Sequence, residues 1–94
     1  MDPSGPVYLP IDGTLDLHAF SPKDLKTLIP DYLEECRRKG IFEVRIIHGK
    51  GRGDLRRSVQ AILGRLAYVT SFRLAGPDGG TWGATLVDLA PVKY

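Results

Sequence analysis

The chain has 94 residues, 43% of them hydrophobic and 26% charged, and a formal net charge of +2. That length supports one domain with a modest core, and no apolar run approaches the roughly 18 residues of a bilayer-spanning helix. A lone cysteine, Cys36, rules out an internal disulfide and a cysteine-built zinc site. The opening Met1-Asp2-Pro3-Ser4-Gly5-Pro6 has neither the basic nor the apolar region of a signal peptide, so cytoplasmic residence without a membrane partner is the expectation.

Residues 1–13, with Pro3, Pro6 and Pro10, read as an extended N-terminal arm, and 14–94 as the folded domain. Thr14-Leu15-Asp16-Leu17-His18 alternates polar and apolar, which predicts a short strand with Leu15 and Leu17 on one face and Asp16 and His18 on the other. Ser21-Pro22-Lys23-Asp24 opens a helix: Ser at the N-cap, Pro at the first helical position, an acid in the first turn. Leu25, Leu28, Ile29, Tyr32, Leu33 and Cys36 supply its apolar stripe. Pro30 falls inside that stripe and predicts a kink or a break. Arg37-Arg38-Lys39-Gly40 suits the helix end.

Glu43 to Ile47 is a β-branched run and predicts a second strand; Leu55, Val59, Ile62, Leu63 and Leu66 describe a second helix from about Asp54. Val69 to Leu74 and Ala84 to Leu89 are two more strands, separated by the turn Asp78-Gly79-Gly80. The order β-α-β-α-β-β predicts an α/β (α+β) two-layer sandwich, with helices on one face of a mixed four-stranded sheet.

The charges are unevenly spread along the chain. Between Arg37 and Arg73 ten basic residues face only Glu43 and Asp54, whereas residues 1–36 hold seven acids against Lys23 and Lys26. A polyanion-binding face is one reading of that asymmetry, and a set of solvated helix faces is the other.

The densest chemistry lies in His48-Gly49-Lys50-Gly51-Arg52-Gly53, between the second strand and the second helix. Alternate glycines free the backbone for positive φ and close approach, while three cationic or imidazole side chains alternate with them. Such a loop before a helix suits phosphate. It matches neither the P-loop spacing nor the Gly-x-Gly-x-x-Gly of dinucleotide sites, which argues against nucleotide hydrolysis and dinucleotide binding. Two layers also leave little room for an enclosed metabolite pocket.

Asp16 and His18 share a strand face, where a carboxylate can orient an imidazole or join it on a divalent cation. His48 ends the second strand. If the first two strands are parallel neighbours, both histidines emerge at the C-terminal sheet edge, where α/β layers bind ligands. His48 either serves that site or caps the loop through backbone bonds. Trp82, in Gly79-Gly80-Thr81-Trp82-Gly83, is suited to stacking on a base. Cys36 lies on the apolar stripe as a small core residue.

Three motifs in order, Leu15-Asp16-Leu17-His18, His48-Gly49-Lys50-Gly51 and Gly80-Thr81-Trp82-Gly83-Ala84-Thr85, resemble the Smr (small MutS-related) domain family over Leu15 to Leu89. The chain as a whole resembles its short, free-standing bacterial members. The resemblance implies a sandwich similar to the C-terminal domain of translation initiation factor three, binding of DNA or RNA and, as in several family members, nicking endonuclease activity, the alternative being a non-catalytic module that binds structured nucleic acid. It puts Asp16 and His18 in the catalytic centre, with His48, a third candidate catalytic residue, gripping the backbone near the scissile phosphate. Gly49, Lys50, Gly51, Arg52, Gly53, Arg56 and Arg57 would contact the nucleic-acid backbone, and Gly80, Trp82 and Gly83 would form a facing loop. The expected cofactor, if one is used, is a divalent Mg or Mn ion on Asp16 and His18. Two features depart from the family pattern: Ala19-Phe20 follows His18 where a glycine is usual, and the third motif holds one extra residue.

Overall fold

The computed structural model describes residues 10–49, 53–76 and 83–92. Four strands, β1 (Thr14–Asp16), β2 (Glu43–Ile47), β3 (Val69–Leu74) and β4 (Ala84–Leu89), and two helices, α1 (Leu25–Arg38) and α2 (Asp54–Leu63), follow the order read from the sequence. The sheet order is β1-β2-β4-β3. β1 and β2 are parallel, and β4 runs antiparallel to both its neighbours. It is a mixed α+β sheet, as expected.

The helices cover one face of it. Leu15, Val44, Ile46, Val87 and Leu89 from the strands meet Leu25, Ile29, Leu33, Cys36, Val59 and Leu63 from the helices in one buried cluster. Each fully buried aliphatic side chain there contributes about 1.5–3 kcal/mol. The opposite face carries Glu43, Arg45, Arg73 and Asp88, with Arg73 paired to Asp88 at 3.3 Å.

Two local expectations change. β1 stops at Asp16, and Leu17–Ala19 form a 3-10 turn. The Asp16 carboxylate caps that turn by accepting the His18 N–H at 2.9 Å, a stronger local bond than a further ladder position offers. Leu17 still points inward and His18 outward, so the alternation survives while the strand does not. The second change concerns Pro22–Asp24, which form a separate 3-10 turn ahead of α1, and α1 then runs through Pro30 without a break. Pro30 has no N–H for the Lys26 carbonyl, but Lys26 is exposed and water can serve there. The Pro30 carbonyl in turn accepts the Tyr68 hydroxyl at 3.3 Å.

Residues at the start and end of the domain are tied to the sheet edge opposite the C-terminal ends of β1 and β2. The Gly13 carbonyl accepts the Arg45 N–H at 2.8 Å, and the Gly13 N–H reaches the buried Tyr32 hydroxyl at 3.2 Å. That hydroxyl donates to the Thr14 carbonyl at 3.0 Å, and burial pushes its pKa up to about 12. At the other terminus Arg37 donates to the carbonyls of Ala90 (2.9 Å) and Pro91 (3.2 Å) and lies 4.4 Å over the Tyr68 ring. Arg37 is therefore a structural cation. With Arg73 on the open face, it shows that the basic segment of the sequence is not one surface.

Candidate active site

The C-terminal edge of β1 and β2 gathers residues from all three sequence motifs. Parallel pairing sets Asp16 opposite Ile47, so the 3-10 turn bearing His18 and the loop opened by His48 leave the sheet side by side. Antiparallel pairing brings Ala84 opposite the same Ile47, which adds the beginning of β4. The Gly83 carbonyl fastens this corner by accepting the N–H groups of both His48 (2.9 Å) and Gly49 (2.8 Å).

Asp16 and His18 form a dyad in the open. The Asp16 Oδ1 accepts the His18 backbone N–H and stands 2.7 Å from its Nδ1, with the side chains 56% and 64% exposed respectively. A carboxylate only accepts, so Nδ1 carries the proton and Nε2 keeps its lone pair in the neutral ring. The backbone N–H of His18, and secondly its ring, hold the Asp16 carboxyl below its usual 3.8. Asp16 thus stays ionised and keeps the imidazole in one orientation.

Nε2 faces the loop. Gly49 has φ +83°, and a Cβ built on it would stand only 3.1 Å from His18 Nε2. Glycine is required there twice: by the left-handed backbone and by the imidazole against it. Gly53, φ +85°, begins α2, with the Arg56 guanidinium folded over it; a Cβ there would lie 3.1 Å from Arg56 Nη2. Arg57 is paired with Asp54 at 3.1 Å.

His48 is only 5% exposed. Its Nδ1 lies 2.9 Å from the Gly49 carbonyl and its Nε2 2.9 Å from the Thr85 hydroxyl. Both nitrogens are engaged inside the protein, so the geometry fits the loop-capping reading of His48 and gives it no free atom for a substrate. Thr85, fully buried, closes the third motif, and the sequence assigns it no role at this corner. The signal was a hydroxyl on the face that β4 otherwise fills with Val87 and Leu89. Lys50, Gly51, Arg52, Gly80 and Trp82 lie outside the described residues.

Among the described residues no third His, Cys, Asp or Glu joins Asp16 and His18. Among the described residues, too, no helix is long and apolar enough to cross a membrane.

Comparisons with known proteins converge on one family. The Smr domain model matches residues 15–90. The endonuclease MutS2 of Halothermothrix orenii is 35% identical over 79 residues, 84% of this chain and 10% of that protein. The endonuclease MutS2 of Brevibacillus brevis is 39% identical over 75 residues, 80% of this chain and again 10% of the relative. The chain thus spans about a tenth of the length of these relatives. Among solved structures, the Smr domain of Thermus thermophilus MutS2 superposes with a TM-score of 0.77 at 35% identity, covering 85% of this chain and all of that one. YdaL, a stand-alone small MutS-related protein from Escherichia coli, gives 0.73 at 27% identity, covering 83% of this chain and 64% of its own.

Proposed function

The chain belongs to the Smr domain family, and from that premise we propose that it binds nucleic acid and cleaves phosphodiester bonds in DNA or RNA, with His18 as general base. The observation that carries this reading is the Asp16–His18 dyad: an exposed imidazole, oriented through Nδ1 at 2.7 Å, whose Nε2 borders a glycine loop rich in cations. An open site on a sheet edge suits a polymer that lies across it, and the relatives named endonuclease MutS2 agree with that use.

In this scheme Nε2 takes the proton from the attacking oxygen, which is water or, on RNA, the neighbouring 2′-hydroxyl. The P–O bond to the leaving oxygen breaks, that oxygen takes a proton from solvent water, and the His18 imidazolium returns its own proton to solvent. Asp16 stabilises the imidazolium that forms. Lys50 and Arg52 are the residues of the loop suited by charge to offset the charge growing on phosphorus, and Arg56, whose guanidinium lies over Gly53, is a further cation of the same segment. His48 holds the loop rather than touching the substrate, and the chelator arm of the test below decides whether Asp16 and His18 work with a divalent ion.

The test incubates the purified chain with supercoiled plasmid and with structured RNA, with and without a chelator, beside His18→Ala. The expected result is nicking or cleavage by the wild type, its loss in His18→Ala, and binding retained by both. Tight, salt-sensitive binding with no cleavage by the wild type would make the domain a binding module instead. Affinity indifferent to salt and to replacing Lys50 and Arg52 with Ala would overturn the nucleic-acid reading itself.

A further inference from the structure

Thr85 occupies an odd place for a hydroxyl. It sits in the central strand β4, opposite Ile46 of β2 and Leu74 of β3, and it is fully buried. Valine has the same shape and would satisfy the packing. A hydroxyl in such a place must find a partner, and this one finds His48 Nε2 at 2.9 Å.

That bond fixes more than one side chain. The Gly49 carbonyl, 2.9 Å from His48 Nδ1, can only accept, so in the neutral ring Nδ1 carries the proton and Nε2 must accept from Thr85. The ring is then pinned at both nitrogens. The Gly49 residue is held in turn from two sides, its carbonyl by His48 and its N–H by the Gly83 carbonyl at 2.8 Å. This is the glycine whose Cα borders His18 Nε2.

We propose that Thr85 is a positioning residue for the cleavage reaction: through His48 it sets the Gly49 backbone that forms the wall beside His18. The proposal rests on the cleavage reading given above, but its structural half is measurable without cleavage. Thr85→Val removes the hydroxyl and keeps the shape; Thr85→Ser keeps the hydroxyl.

On a nicking substrate, Thr85→Val is expected to lower kcat between about tenfold and a hundredfold with KM within about twofold, the pattern of a displaced catalytic group. Thr85→Ser should restore most of the lost rate. Nitrogen-15 NMR of the two imidazoles supplies the second readout. His48 of the wild type should carry its proton on Nδ1, and the His18 ring signals should move in Thr85→Val and return in Thr85→Ser. A wild-type His48 protonated on Nε2, or His18 signals unmoved by Thr85→Val, would overturn the proposal whether or not the protein cleaves. A wild type without nicking activity whose His18 signals follow Thr85 would instead overturn the cleavage reading and leave the positioning link standing.

Discussion

His18 and His48 follow the C-terminal ends of neighbouring parallel strands, yet they do opposite things. One ring stands 64% exposed with a single carboxylate on Nδ1, and the other is buried with a carbonyl on Nδ1 and a hydroxyl on Nε2. The residue type is the same and the strand position nearly so. What separates them is a matter of phase. His48 continues the inward-facing row of Val44 and Ile46, whereas His18 follows the inward Leu17 on a turn that points it to solvent. A histidine with an unengaged nitrogen at the surface can exchange protons with a substrate. A histidine with none left over holds backbone in place.

The widest separation between the two should come from His18→Ala. Removing a general base is expected to cost about 10²–10⁴ in cleavage rate, while urea unfolding shows a stability change under about 1 kcal/mol, because the ring is exposed. A variant that still nicks at wild-type rate would erase the distinction. His48→Ala should show the reverse balance. It leaves a buried void and an unpartnered Thr85 hydroxyl, for a stability loss of about 2–4 kcal/mol in the same urea experiment.

Gly49→Ala tests the wall between the histidines. Left-handed backbone costs a non-glycine residue about 1–2 kcal/mol, and the new Cβ would push against His18 Nε2 at 3.1 Å. Stability and cleavage should therefore both fall, and a crystal or NMR structure should show the His18 ring displaced.

The smallest effect concerns pH. The Asp16 carboxyl titrates below its ordinary 3.8 in the folded chain, so its bonds to His18 stabilise fully above that value and fade as pH falls through the lower folded one. The stability gap between wild type and Asp16→Asn should be flat above about pH 4 and close below it, as read by urea midpoints across the acid range.

Much of this was visible in the residues. β2 falls where its β-branched run predicted it, β3 and β4 fall on either side of the predicted turn, and the apolar stripe of α1 is the buried one. Their signals are periodic and extend over several residues. The end of β1 was not visible, because a 3-10 turn that keeps Leu17 in and His18 out looks like two more strand residues. α1 passes through Pro30 with Lys26 exposed one turn before it, a circumstance that no motif around the proline marks. The role of Thr85 was hidden for a different reason. Its partner is 37 residues away in sequence, and only the antiparallel placement of β4 beside β2 brings the two together.

The Arg37 clamp on Ala90 and Pro91, and the Gly13 bonds to Arg45 and Tyr32, place both ends of the described domain at the sheet edge away from His18. A domain wired in this way behaves like a tool held by its handle. Under the cleavage proposal, the clamped edge is the grip and the rim that carries His18 is the working end.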